Sequence, residues 1–289
     1  RLNHPLLAEQ LRQYLTDDYP PTARELALDI AEAVPLPSLE NDLRDLALRE
    51  SASLSDRAAA CAALKPIAND QTRQALAPLC HLSADAAHAD LCGAALDLCW
   101  PEAITPTTLL GALEEIPTTD HYTHLDRFLS RLADEVDLFP TPHLPAALEW
   151  ARQRVGIPRR RDYVAPLCVA FAKRAFFLAE ENAGVRDALA AYVVELALHH
   201  ELGGPFDQDE DQTLLQHEES KRRALVRAVL RIWADDFQPF YLVYGGNNIG
   251  RLEDICWLFQ QAATSQDAGF VNRCCKLINQ LFTEVFSSD

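Results

Sequence analysis

Arg223, Arg227 and Arg231 recur at four-residue steps, with Lys221 and Arg222 beside them. On a helix that spacing gathers the guanidinium groups into one stripe, and each guanidinium offers a planar fork of donors matched to carboxylate or phosphate. The stripe is therefore the candidate partner-binding surface, receiving an acidic protein segment or a phosphate. The competing reading is neutralisation within the chain, by Asp207-Gln-Asp-Glu-Asp211 or by carboxylates on a neighbouring helix. Arg159-Arg160-Arg161 is a second basic run, either similar or a basic loop after Pro158.

Other residue types suggest chemistry but lack the company it needs. His121 and His124, flanked by Asp120 and Asp126, are spaced to share a helical turn as metal ligands; a metal site also requires a third ligand and an ordered surrounding shell. Helix capping accounts for the same segment. His199, His200 and Glu201 precede Gly203-Gly204, where imidazoles complement a helix C-terminus and glycine stops it. Glu114-Glu115, Glu180-Glu181 and Asp235-Asp236 are adjacent pairs, which point away from each other on a helix and make poor cooperating acids and bases. The chain contains no G-x-x-x-x-G-K-[ST], no G-x-G-x-x-G and no G-x-S-x-G, so it offers no recognisable phosphate cradle or nucleophile elbow. No catalytic residue, metal ligand or cofactor-binding residue is assigned, and no cofactor is expected.

Composition bounds the setting. With 289 residues, 48% of them apolar and 24% charged, the chain has the make-up of a folded globular protein. Its net charge of −17 disfavours generic binding to nucleic acid or anionic lipid. The most apolar stretch, residues 163–172, is too short to cross a bilayer and contains Pro166. Eight cysteines without a C-x-x-C pair read as reduced core residues of a cytoplasmic protein. The opening Arg-Leu-Asn-His carries no signal-peptide pattern and reads as part of a longer protein.

The elements that must position these residues are helical. Leu11, Leu43, Leu76 and Leu110 stand 32, 33 and 34 residues apart, and Tyr14, Leu46, Leu79 and Leu113 follow in the same register. A second set of helices, at residues 21–33, 55–67 and 84–99, places Ala27, Ala60 and Gly93 at matching positions 33 apart, where small residues permit close helix approach. Pro20-Pro21, Pro35-Leu-Pro37-Ser38, Asn69-Asp70, Ser83 and Thr105-Pro106 supply caps and first-turn prolines at the expected junctions. Each unit is a helix, a turn and a second helix, which cannot bury its apolar face alone and must stack on its neighbours. The expected fold is all-α, a HEAT-like α-solenoid of stacked helical hairpins.

Residues 1–140 form the repeats, and residues 141–289 read as an irregular helical continuation or a second helical subdomain. The latter has longer helices and is richer in aromatics, with Phe171, Phe176, Phe177, Tyr192, Trp233 and Trp257 suggesting a thicker packed end. The one strand-like run is Phe240-Tyr-Leu-Val-Tyr244, closed by Gly245-Gly246-Asn247-Asn248, with a buried connector as the competing reading.

Ala95-Leu-Asp-Leu-Cys-Trp-Pro-Glu-Ala-Ile-Thr-Pro-Thr-Thr-Leu-Leu110, Tyr122, Phe128-Leu129 and Leu144-Pro-Ala-Ala-Leu-Glu-Trp150 resemble the helical-repeat region of bacterial NACHT-type STAND NTPases. Tyr19-Pro-Pro-Thr-Ala-Arg-Glu-Leu-Ala-Leu-Asp-Ile-Ala-Glu-Ala33 and Leu54-Ser-Asp-Arg-Ala-Ala-Ala60 resemble the same repeats. The resemblance covers about the first half, to residue 155, and rests on Leu and Ala spacing that helical solenoids share. It implies an upstream NTPase module, with the solenoid sensing a trigger or holding the protein closed, in some relatives during defence against phage. None of the nucleotide-binding residues is present, so only the sensor or scaffold role carries over. The expected partner is a protein or the chain's own NTPase module. A free-standing scaffold adaptor, and a hydrolase or metal enzyme with a site built from distant residues, are the alternatives.

Overall fold

A computed structural model describes residues 4, 6–16, 18–81, 86–114, 123–156, 164–199, 206, 215–233, 238–243 and 249–287. Every regular element among them is helical. They fall into two compact units, the first ending at Leu138 and the second beginning at Phe139.

The first unit holds α1 (Leu7–Arg12), α2 (Pro21–Ala33), α3 (Glu40–Leu48), α4 (Leu54–Leu64), α5 (Asp70–Leu76), α6 (Ala89–Cys99), α7 (Pro106–Glu114) and α8 (His124–Asp134). Their starts follow local chemistry. Pro21 opens α2, where its missing N–H costs nothing. Ser53 and Asn69 accept the Asp56 and Thr72 backbone N–H groups at 3.0 and 2.9 Å, capping α4 and α5. Thr123 and Asp126 form a reciprocal capping box at the head of α8. Of the expected start signals, Ser83 lies outside the described residues.

Packing follows the repeat. Helix α2 lies against α4, α4 against α6, and α6 against α8, while α3 backs α4 and α5. Leu11, Leu43, Leu76 and Leu110 are all buried, as are Leu46, Leu79 and Leu113. Each such burial contributes about 1.5–3 kcal/mol. Tyr14 is only half-buried and meets Tyr19 in a tilted pair, ring centroids 4.8 Å apart. Ala27 and Ala60 are buried at the helix contacts. At Gly93 the approach is closest: a Cβ there would meet the Leu125 backbone nitrogen at 2.0 Å.

Polar contacts recur at the same spacing. Asp97 accepts from Lys65 Nζ at 2.8 Å and from Arg131 Nε at 2.6 Å, partners 32 residues before it and 34 after. Asp90 accepts the His124 backbone N–H at 2.7 Å. Arg24 reaches Asp56 at 2.8 Å, a buried pair 32 residues apart. Glu40 accepts from the Asn69 N–H at 2.8 Å and from Thr72 Oγ1 at 2.7 Å, which ties α3 to the cap of α5.

The second unit contains α9 (Leu144–Arg152), α10 (Ala165–Leu178), α11 (Ala183–Leu198), α12 (Glu219–Ile232), α13 (Phe240–Val243), α14 (Ile255–Thr264) and α15 (Ala268–Ser287). Helix α11 packs between α9 and α12, α10 backs both α9 and α11, and α14 lies along α15. Phe139, Phe171 and Trp150 meet edge to face at 5.0 and 6.4 Å, and Phe176 meets Phe206 at 5.3 Å. Two of the aromatics expected in this core are elsewhere. Phe177 is 44% exposed and carries the Lys221 ammonium on its ring, and half-buried Trp257 lies under two arginines. Their side chains are wide enough to seat a cation on one face, which makes them useful at the surface. The strand-like run folds as the helical turn α13, with residues 244–248 outside the described set.

Cysteine placement splits. Cys61, Cys80, Cys92, Cys99, Cys168 and Cys274 are buried free thiols, whereas Cys256 and Cys275 are exposed on α14 and α15. Burial pushes Cys61 and Cys92 up to about 12 and Cys274 up to about 11. Cys256 and Cys275 depart from the expected core role because they sit on the outer faces of amphipathic helices.

Candidate functional site

The arginine stripe lies on α12, and the structure divides it. Arg222, next to the stripe, is buried and ion-paired with Asp254, and donates to the Leu215 carbonyl at 3.0 Å. Arg223 donates from Nε to the other Asp254 oxygen at 2.9 Å and also pairs with Glu219 one helical turn back. Asp254 accepts the Arg251 backbone N–H at 3.2 Å as well. Burial, and then the nearby Arg222, hold the Arg251 guanidinium below its ordinary value. One fully buried carboxylate thus anchors the start of α12 to the turn before α14. For Arg223, neutralisation by a neighbouring element is what the structure shows.

Arg227 and Arg231 differ. Arg227 lies over the Trp257 ring at 5.7 Å, its Nε is buried with no hydrogen-bond partner, and it makes no ion pair among the described residues. Arg231 is exposed and likewise has no ion pair among the described residues. Residues 207–211, the expected acidic counterpart, lie outside the described set, as do residues 159–161.

These arginines line three adjoining cavities. The first, about 610 Å³, lies between Glu180 and Trp257 and has Arg223 and Arg227 in its wall. The second, about 380 Å³, shares Arg227 and Ala224 with the first and adds Arg186, Asp187 and Arg231. The third, about 520 Å³, shares Arg231 and continues past Gln261, Thr264 and Ser265 to Phe270. The carboxylates of the first cavity are engaged: Glu180 accepts from Ser220 at 2.6 Å, Glu218 from Lys221 at 2.9 Å, and Glu219 pairs with Arg223. In the second, Asp187 approaches the adjacent Arg186 at 3.5 Å, leaving three guanidiniums to one carboxylate.

The site as seen by sequence was incomplete. It lacked Asp254, Trp257 as a cation seat, and Arg186. Asp254 was reachable, because it stands 32 residues after Arg222, the spacing of the repeat contacts. Arg186 carried no such signal; only the packing of α11 on α12 brings it to the stripe.

The remaining candidates resolve into structural roles where they are described. Asp126 caps α8, and His124 is bound through its backbone to Asp90; His121 and Asp120 lie outside the described residues. No group of three His, Cys, Asp or Glu side chains suited to a metal occurs among the described residues. His199 ends α11, where its Nε2 meets Glu195 at 3.2 Å and its ring fills the space a Cβ on Gly156 would need. Gly156 has φ of 75°, a left-handed conformation that glycine adopts without strain. His200, Glu201, Glu115 and Asp235-Asp236 lie outside the described residues. No described helix is long and apolar enough to cross a membrane. Comparison with protein-family models, curated proteins and solved structures gives no match to this chain.

Proposed function

We propose that this chain is a non-catalytic, HEAT-like helical-repeat module that binds a protein segment, and that it serves as the sensing or autoinhibitory part of a larger cytoplasmic NACHT-type STAND NTPase. The observation that carries the binding reading is the groove along α12, where Arg227 and Arg231 have no ion pair among the described residues of a chain with net charge −17. An anionic segment is attracted to these cations while the net charge of −17 disfavours its approach to the chain as a whole, which gives selectivity. The solenoid reading is supported by the ordered packing of α2, α4, α6 and α8 and by polar contacts at repeat spacing, of which Asp97 makes two. In such a module an occupant acts by favouring one orientation of the attached NTPase over another.

The test is to determine the whole reading frame and, where it encodes an NTPase, to measure ATP hydrolysis by the NTPase part with and without this chain. Suppression or stimulation by the chain is the expected result. A reading frame with no NTPase would overturn the STAND assignment in favour of a free-standing scaffold adaptor. Stoichiometric metal in the purified chain, lost when His121 and His124 are both changed to Ala, would overturn the non-catalytic reading.

A further inference from the structure

The geometry of the α12 groove specifies its ligand more closely than the interaction-module reading, on which this inference rests. Four residues along an α-helix rise ~6 Å and return to nearly the same face. In an extended peptide, side chains two residues apart share a face and are separated by ~6.6 Å. Arg227 and Arg231 are four residues apart on α12, and both line the second cavity. Their spacing therefore fits two carboxylates in an acid-x-acid pattern, one on each guanidinium.

The rest of the groove fits a polypeptide better than an isolated anion. It runs on beyond the cations at both ends, from Glu180 to Phe270. Its far end offers the amide and hydroxyls of Gln261, Thr264 and Ser265, which can hydrogen-bond a peptide backbone, beside Asp267, whose carboxylate accepts the Gly269 and Phe270 N–H groups at 2.9 and 3.1 Å. Trp257 seats the Arg227 guanidinium over its ring at 5.7 Å and holds it at the cavity wall. Arg223 already has Asp254 and Glu219 as partners. The recognition pair is thus Arg227 and Arg231, with Arg186 alongside.

We propose that this groove binds an extended acidic peptide segment, with carboxylates two residues apart engaging Arg227 and Arg231.

The test is selection of a displayed random dodecapeptide library on the immobilised 289-residue chain, followed by fluorescence anisotropy with labelled synthetic copies of the selected peptides. The expected result is enrichment of acid-x-acid pairs and a loss of about tenfold or more in affinity with either Arg227→Gln or Arg231→Gln, as loss of a charge-assisted hydrogen bond to a carboxylate produces. Arg44→Gln, on α3 in the other unit, should leave binding unchanged. Arg231 is exposed, so its replacement leaves the fold intact even if Arg227→Gln perturbs it. Selected peptides without the acidic pair, or copies indifferent to both substitutions, would overturn the groove assignment and leave the interaction-module reading standing. Selection of no peptide overturns the groove assignment, as does a titration in which inorganic phosphate or pyrophosphate binds through the same arginines while no peptide does. None of these outcomes bears on the STAND assignment, which the reading frame and ATP hydrolysis decide.

Discussion

Replacing Gly93 by Ala tests whether the repeat is built on backbone contact between α6 and α8. The added Cβ would stand 2.0 Å from the Leu125 nitrogen, 2.3 Å from its Cα and 2.5 Å from the His124 carbonyl carbon. All three are backbone atoms, so no side chain can rotate away. Restoring ordinary contact at 3.4 Å requires the helices to part by roughly 1.4 Å. That opening stretches the 2.7 Å bond from the His124 N–H to Asp90 beyond hydrogen-bond range. It also loosens the burial of Leu125, Phe128, Leu129 and Leu132. Overpacking costs about 1–3 kcal/mol, and a lost hydrogen bond to a carboxylate about 1.5–3 kcal/mol. The better helix propensity of Ala returns about 1 kcal/mol. The net expectation is destabilisation by about 1.5–5 kcal/mol, a fall in Tm of about 5–15 °C for a unit of this size. Gly111 is the control. It is exposed within α7, and a Cβ there meets nothing within 4 Å, so Gly111→Ala should stabilise by about 1 kcal/mol. Thermal and urea unfolding of the two variants should move in opposite directions. A Gly93→Ala variant as stable as wild type, or stabilised like Gly111→Ala, would refute the close-approach reasoning.

Asp254→Ala strands buried Arg222 without its carboxylate and should cost about 3–5 kcal/mol, whereas the apolar pair Arg222→Met with Asp254→Leu should cost less than the single change; urea unfolding compares them. Glu40 is held below the ordinary carboxylate range, chiefly by the Asn69 backbone N–H. Its ionised form therefore adds stability above the ordinary carboxylate pKa, and the contribution fades as pH falls through the lower folded value. The stability gap between wild type and Glu40→Gln should accordingly close on acidification; a gap that widens contradicts the assignment. With a thiol-specific chromogenic reagent, Cys256 and Cys275 should react quickly in the native protein. Buried Cys61 and Cys92, pushed up to about 12, should react only on denaturation; rapid native labelling of all eight cysteines would contradict the packing.

Much of the helical order is legible in the sequence, because helix starts and apolar faces are local properties. Pro21, Asn69 and Thr105-Pro106 open helices where their side-chain chemistry requires. Leu43, Leu46 and Leu76 are buried because three- and four-residue steps gather on one face. The sequence of residues 240–244 leaves strand and connector both open, because a short apolar run lacks a period long enough to separate strand from helix, and residues 240–243 fold as a helical turn. Phe177 and Trp257 misled for a related reason: an aromatic ring suits a core and a cation seat equally well.

What the sequence determined by itself was the helical class, the period near 33 residues, the small residue at Gly93 and the presence of a basic stripe. The tertiary structure decided which of those cations is available. Arg223 and Arg227 are alike in sequence, both on the stripe of α12, and both lie over the Trp257 ring, yet only Arg223 meets Asp254. The spacing of side chains along a helix is set by covalent geometry and can be counted. The partner across a packed interface comes from residues tens of positions away: the packing of α11 on α12 brings Arg186 to the stripe, and Asp254, in the turn before α14, takes Arg223 out of it.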